Sequence, residues 1–343
     1  MKTDKTPAVA VVGCGYWGPN LIRNFHTLAD CRLKTICDRD EKRLAHMRGR
    51  FPDVATETDF ARVLADPEIS AVVIATPMHL HYPMAKAALE AGKHCFIEKP
   101  MAGSVAQCEE LCTLARDRHL HIMVGHTFLF SPAIRRIKEI IDAGDIGQVR
   151  YISARRLNLG LYQKDFNVIW DLAPHDISII AYLLGAFPCA VNCQGNAHIT
   201  PGIEDVANAT FHFRNGGYAT IHVSWLDPRK VREMAIVGTR RMIVYDDIEP
   251  LQKVKIYDTR VERPPHYDTF AEFQYAYHWG DMYAPYIKQE EPLSLECRVF
   301  LDCILNDRAS ISDGRYGTRV VRALEAASDS LKADGGLVEI GSD

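Results

Sequence analysis

The six residues Gly13-Cys14-Gly15-Tyr16-Trp17-Gly18 constrain this chain more than any other stretch, because of what flanks them. An apolar, β-branched run from Ala8 to Val12 precedes them, and an amphipathic stretch starting near Pro19 follows. In a strand–turn–helix context of that kind Gly13 permits the tight turn, Gly15 lets another group approach the backbone, and Gly18 lets helix and strand pack closely. The first amides of the helix then face a phosphate charge, with Tyr16 and Trp17 on the loop. The next apolar run, Leu33 to Cys37, ends at Asp38, twenty positions beyond Gly18. A carboxylate there accepts hydrogen bonds from an adenosine ribose and repels an extra ribose phosphate, so the spacing predicts NAD rather than NADP. Arg39 and Arg43 follow, able either to pair with a phosphate or to stack on adenine.

The remainder fits that beginning. Further short apolar runs occur at Ala71 to Ala75, His94 to Ile97 and His121 to Val124, separated by helical patterns, as in a doubly wound α/β sheet covered on both faces. Pro132 to Ala143 reads as a connecting helix ended by Gly144 and Gly147. Alternating strand patterns follow at Val206 to Phe213, Tyr218 to Trp225 and Met242 to Tyr245, with Asn215-Gly216-Gly217 as a hairpin turn, so a largely antiparallel sheet is expected. Helical periodicity returns at Ser294 to Asp307 and Gly317 to Ala333. The expected division is a Rossmann domain over 1–126 and an α+β domain over 127–343 that holds substrate and makes oligomer contacts, its last helix packing back on the first domain.

A chain of 343 residues has room for two cores, and a net charge of -4 supplies no basic surface for nucleic acid. No run approaches a membrane span and no leader pattern opens the chain, so a cytoplasmic protein without membrane partners is expected. The ten cysteines are scattered without a CxxC pair, which argues for reduced, mostly buried thiols and no structural metal.

Three more signals accompany the glycine loop: Thr76-Pro77 with His81, Glu98-Lys99-Pro100 after a strand, and Asp171 with His175. Taken with GCGYWG, ATPxxxH, EKP and the FSPA segment at Phe130 to Ala133, they make the chain resemble the glucose-fructose oxidoreductase, inositol dehydrogenase and MocA family over nearly its whole length. The resemblance implies an N-terminal Rossmann domain followed by an open, mostly antiparallel sheet, with Glu98 and Lys99 at the cofactor. It also implies that Lys99 touches both nicotinamide and substrate and that Asp171 and His175 complete the site. For Thr76, Pro77 and His81 it implies a loop along the cofactor; an ordinary strand-to-helix turn explains them equally well. The family's later motif often reads DxGxH, whereas Ala173-Pro174 stands before His175 here.

Oxidising a sugar alcohol requires a base for the hydroxyl proton and a cation beside the developing oxyanion. Asp171 and His175, four apart, share a helical face, so the carboxylate can orient the imidazole. His175 is the favoured base, with Lys99 the competing choice; singly, each of the three also admits a bland role as cap, interior histidine or surface ion pair. Within the family the segments GYWGPNLIRNF, WDLAPHDISI and WLDPRKVREMAIVGTRRMIVYDD are most similar to nucleotide-sugar 3-dehydrogenases acting on UDP-N-acetylglucosamine. That resemblance implies a partner aminotransferase in making 2,3-diamino sugars of lipid A type, and a homodimer or homotetramer. Arg156 and Asn158, with Arg155, Arg229, Lys230 and Arg232 nearby, are candidate substrate contacts. The alternatives are UDP-N-acetylglucosaminuronic acid, inositol or an aldose as substrate, or a regulator that binds NAD without turnover.

Overall fold

The structure, a computed structural model, describes residues 6–262 and 276–341. The chain forms two compact units, Met1–Phe130 with Glu290–Glu325, and Ser131–Gln289 with Ala326–Asp343.

The first unit opens with β1 (Ala8–Val12), α1 (Gly18–Thr27), β2 (Arg32–Cys37), α2 (Glu41–Arg50), β3 (Ala55–Glu57), α3 (Phe60–Ala65) and β4 (Ile69–Ile74). It continues through α4 (His81–Glu90), β5 (His94–Glu98), α5 (Val105–Asp117) and β6 (Ile122–Gly125). The strands lie in the order β3-β2-β1-β4-β5-β6, every neighbouring pair parallel, which is the Rossmann order. All five residues of β1 are buried, as expected for a central strand with helices on both faces. Helix starts are set locally: Asp40, Asp59 and Ser104 cap α2, α3 and α5 with side-chain oxygens. The edge strand β3 was not among the expected strands, being three residues long without an apolar run.

The second unit contains α6 (Pro132–Asp142), β7 (Val149–Leu159), α7 (Val168–Leu184), β8 (Ala190–Asn196), β9 (Val206–His212), β10 (Tyr218–Ser224) and β11 (Leu226–Gly238). Next come β12 (Met242–Asp246), β13 (Val254–Glu262) and β14 (Ala276–Tyr283). After α8 (Pro292–Asn306) and α9 (Gly314–Lys332), β15 (Val338–Glu339) adds the final edge. Among the described residues the sheet order is β14-β13-β12-β11-β7-β10-β9-β8-β15, with β7 and β10 parallel and the other pairs antiparallel. Asn215 makes the β9–β10 turn by accepting the Gly217 N–H at 3.1 Å, with Gly216 at φ 82° where a side chain would be strained.

Helix α8 returns to the first unit, where Phe300 meets Phe25 and Phe96 edge-on at centroid separations of 6.3 and 5.6 Å. Such pairs are worth about 0.5–1.5 kcal/mol each beyond the area they bury. Gly317, expected to open the last helix, lies inside α9, where a Cβ would stand 2.6 Å from Val124 Cγ2. The glycine serves close approach to β6 rather than a helix start. No helix among the described residues is long and apolar enough to cross a membrane.

Candidate active site

The glycine loop joins β1 to α1 as the spacing requires. Gly13 has φ 101°, and a Cβ on it would meet the Ala75 carbonyl oxygen at 2.5 Å; one on Gly18 would meet the Gly13 carbonyl oxygen at 1.9 Å. Gly15 differs: the nearest atom to a Cβ there is an Arg43 nitrogen 4.0 Å away, so its face of the loop is open. Trp17 caps α1 without a side-chain hydrogen bond; Pro19 has no N–H and the Asn20 N–H donates to the Trp17 carbonyl at 2.9 Å, so the first three positions of the helix offer an anion at most the Gly18 amide. The Thr76 hydroxyl oxygen, beside this loop, is inaccessible and has no hydrogen-bond partner among the described residues. An open glycine, a helix start without a side-chain cap and an orphan hydroxyl together fit a dinucleotide.

Asp38 is nearly buried and does more than sequence spacing implied. Its Oδ2 accepts the Cys14 N–H at 2.7 Å and its Oδ1 accepts the Asp40 N–H at 2.8 Å, so the carboxylate braces the glycine loop. Each oxygen keeps a further lone pair for a ribose hydroxyl. Arg39 is exposed, while Arg43 lies 3.6 Å from both Asp38 and Asp40, too long for a strong pair.

His81 is not placed along an open cofactor surface. It is 1% exposed, its Nδ1 2.8 Å from the Pro100 carbonyl and its Nε2 2.9 Å from the Thr76 carbonyl. Burial holds its pKa below the ordinary value. The imidazole thus sits between the Thr76-Pro77 and Lys99-Pro100 turns, its one N–H in the neutral form donating to one of the two carbonyls, and Pro77 itself is exposed. Lys99 is half-buried at the end of β5, and Glu98 beside it accepts the Lys99 N–H at 3.3 Å, with the Trp17 side chain near enough to favour its charged form.

In the second unit Asn167 caps α7 by accepting the Trp170 N–H at 3.4 Å. Asp171 sits in the first turn, where the helix dipole favours a carboxylate, and His175 one turn later on the same face. The departure at Ala173-Pro174 leaves the helix continuous, with Pro174 inside it as its seventh residue, where the ring removes the backbone bond to the Trp170 carbonyl. A residue that sequence reading did not single out fixes Asp171. Trp225 is fully buried at the β10–β11 junction and donates its indole N–H to Asp171 Oδ2 at 3.0 Å. Gly160 packs against that indole, and Asn158 flanks the same glycine, so Asn158, Trp225 and Asp171 form one neighbourhood. The signal for Trp225 lies in a partner 54 positions away, which no local pattern carries.

Arg156 departs from expectation. It is 5% exposed and forks onto Asp176 through two 2.9 Å bonds, so its guanidinium is a buried structural ion-pair partner rather than a presented phosphate contact. Arg155 and Arg232 are paired with Glu233 and Asp247. Among the described residues no three His, Cys, Asp or Glu side chains are arranged to hold a metal.

Residues 8–126 match the profile of the GFO/IDH/MocA oxidoreductase family with NAD-binding Rossmann fold, and residues 134–244 match the GFO/IDH/MocA C-terminal domain. UDP-N-acetylglucosamine 3-dehydrogenase of Acidithiobacillus ferrooxidans is 30% identical over 91% of this chain and 93% of its own.

The chain belongs to the Gfo/Idh/MocA family.

A solved structure of that dehydrogenase superposes with a TM-score of 0.81 at 26% identity, covering 97% of this chain and all of the other. The scyllo-inositol 2-dehydrogenase (NAD(+)) of Bacillus subtilis is 27% identical over 94% of this chain and 93% of its own. A scyllo-inositol dehydrogenase of Lactobacillus casei, solved with NAD(H) and scyllo-inositol, shares the fold with a TM-score of 0.79 at 19% identity, over 98% of this chain and all of that one. The protein is therefore an NAD-dependent oxidoreductase of the Gfo/Idh/MocA family.

Proposed function

We propose that this member of the Gfo/Idh/MocA family oxidises the 3-hydroxyl of UDP-N-acetylglucosamine, giving a 3-keto nucleotide sugar for an aminotransferase. The observation that carries the proposal is the near full-length likeness to a UDP-N-acetylglucosamine 3-dehydrogenase. The acid–base residues Lys99, Asp171 and His175 at the expected motif positions support it.

The reaction removes the carbinol hydrogen as a hydride and the hydroxyl hydrogen as a proton, leaving a ketone. Bound NAD supplies the hydride acceptor. His175 takes the proton, Asp171 fixes the orientation of the imidazole or of a neighbouring hydroxyl, and Lys99 stabilises the charge developing on oxygen. Trp225 holds the Asp171 carboxylate in one orientation through the 3.0 Å bond. Asn158 is the substrate contact retained from the sequence; Arg156 acts through the sheet it stabilises.

A second reading takes a free cyclitol or sugar as substrate, favoured by the likeness to scyllo-inositol 2-dehydrogenase. Parallel assays with NAD and UDP-N-acetylglucosamine, its uronic acid, N-acetylglucosamine and inositol separate the two, because only the first reading requires the nucleotide. The proposal extends to assembly as a homodimer or homotetramer. Tyr277 and Trp279 on the edge strand β14 are 65% and 80% exposed, and Tyr286 beyond it 87%. An aromatic edge of that kind invites another copy.

A further inference from the structure

Behind Lys99 the first unit buries three titratable side chains. Glu98 ends β5 opposite Gly125 on β6, and a Cβ on Gly125 would stand 2.9 Å from Glu98 Oε2. The glycine leaves room for the carboxyl to lie across the neighbouring strand. His126 follows, 1% exposed, its ring edge-on to Tyr316 at 5.9 Å. Thr127 then donates its hydroxyl to Glu296 Oε2 at 2.7 Å, and Glu296, on α8, is 0% exposed.

Glu98 is engaged on one side by the Lys99 amide, with the Trp17 side chain close by. Glu98 Oε1, Glu296 Oε1 and both ring nitrogens of His126 are inaccessible and have no hydrogen-bond partner among the described residues. A buried polar atom left unsatisfied costs about 1–3 kcal/mol, so four in one neighbourhood demand a shared arrangement. Burial pushes Glu98 up to about 7; burial and the Glu98 charge push Glu296 well above the carboxylate range. Burial, with the Lys99 charge, takes His126 down to about 3. Burial therefore favours the uncharged form of both His126 and Glu296. Because Glu296 Oε2 accepts from Thr127, the acid proton belongs on Oε1, and Glu98 Oε1 is an acceptor in the same buried cluster.

We propose that Glu296 is a positioning residue of the reaction: its Oε1–H donates to Glu98 Oε1, directly or through one internal water, and keeps Glu98 as the carboxylate that steadies Lys99 and Trp17. The inference rests on the reading in which Lys99 bears on the reacting oxygen. Other groups around the pair set the same balance. The Lys99 cation favours ionised Glu98, the Cys297 thiol beside Glu296 is held neutral by burial, and Tyr316 faces His126. Glu291, at the start of α8, is engaged by Arg23 and Asn24.

Two substitutions test it. Glu296→Gln keeps the shape and an N–H donor; Glu296→Leu removes the donor. The fluorine resonance of Trp17 in fluorotryptophan-labelled full-length protein, assigned with Trp17→Phe, reports Glu98 protonation without cofactor or turnover. Losing a hydrogen bond to a charged group shifts the midpoint upward by about one pH unit in Glu296→Leu. Glu296→Gln should titrate like the parent, and the acid limb of kcat should move with the Trp17 midpoint. Should Glu296→Leu not fold, Thr127→Val, which frees Glu296 from its orienting donor, should give a smaller shift of the same sign. An unmoved midpoint, or equal shifts in the Gln and Leu proteins, overturns the proposal. If Lys99→Met retains full turnover while Glu296→Leu still moves the Trp17 midpoint, the role given to Lys99 falls and the coupling of the two carboxyls stands.

Discussion

At the scale of single residues, side chains that sequence alone treats as equals have distinct effects. His175→Ala removes the proposed base and should lower kcat by roughly 10²–10⁴-fold while NAD still raises the melting temperature. Trp225→Phe keeps the ring but loses the N–H on Asp171. A bond to a carboxylate is worth about 1.5–3 kcal/mol, so kcat should fall about tenfold or more, measured beside circular dichroism to confirm the fold. Lys99, Asp171 and His175 were proposed from sequence because the motifs around them are local. Trp225 and Glu296 were not, since each meets its partner only when distant segments pack. His81 and Arg156 were read as ligand contacts from their chemistry, but burial engages both: His81 braces two turns and Arg156 closes onto Asp176. A sequence shows that a side chain can bind an anion or a carbonyl, not whether the fold has already supplied one.

At the scale of elements the glycine loop is the most sensitive structure. Gly18→Ala places a methyl group 1.9 Å from the Gly13 carbonyl, so the turn between β1 and α1 must open. NAD should then give no thermal stabilisation, measured by calorimetry, whereas Gly49→Ala, with nothing within 4 Å of the added carbon, should behave as the parent. The buried Glu98 gives a pH signature of the β5 end. Its pKa rises from an ordinary 4.5 to about 7 in the fold, so the folded state binds the extra proton. That contribution to stability is complete below about 4.5 and is lost as pH rises through about 7. Glu98→Gln should flatten the fall in melting temperature across that window. The central strands of the first unit and the Asn215 hairpin were legible because apolar runs and turn residues coincide. The short strands β3 and β15 were not, since a few residues paired at an edge carry no periodic signal.

For the whole molecule, the family follows from two domain matches and a near full-length relative, and the proposed substrate follows from that relative. If β14 mediates assembly, light scattering should give a dimer or tetramer for the parent and a smaller species for Trp279→Glu; a parent that stays monomeric contradicts that part of the proposal. The most direct measurement of the central claim is absorbance at the reduced-nicotinamide band on mixing the protein with NAD and UDP-N-acetylglucosamine, an aminotransferase drawing off the ketone. The expected result is NADH formation that requires the nucleotide and is lost in His175→Ala. NADH formation with inositol or a free sugar, and none with UDP-N-acetylglucosamine, would contradict it.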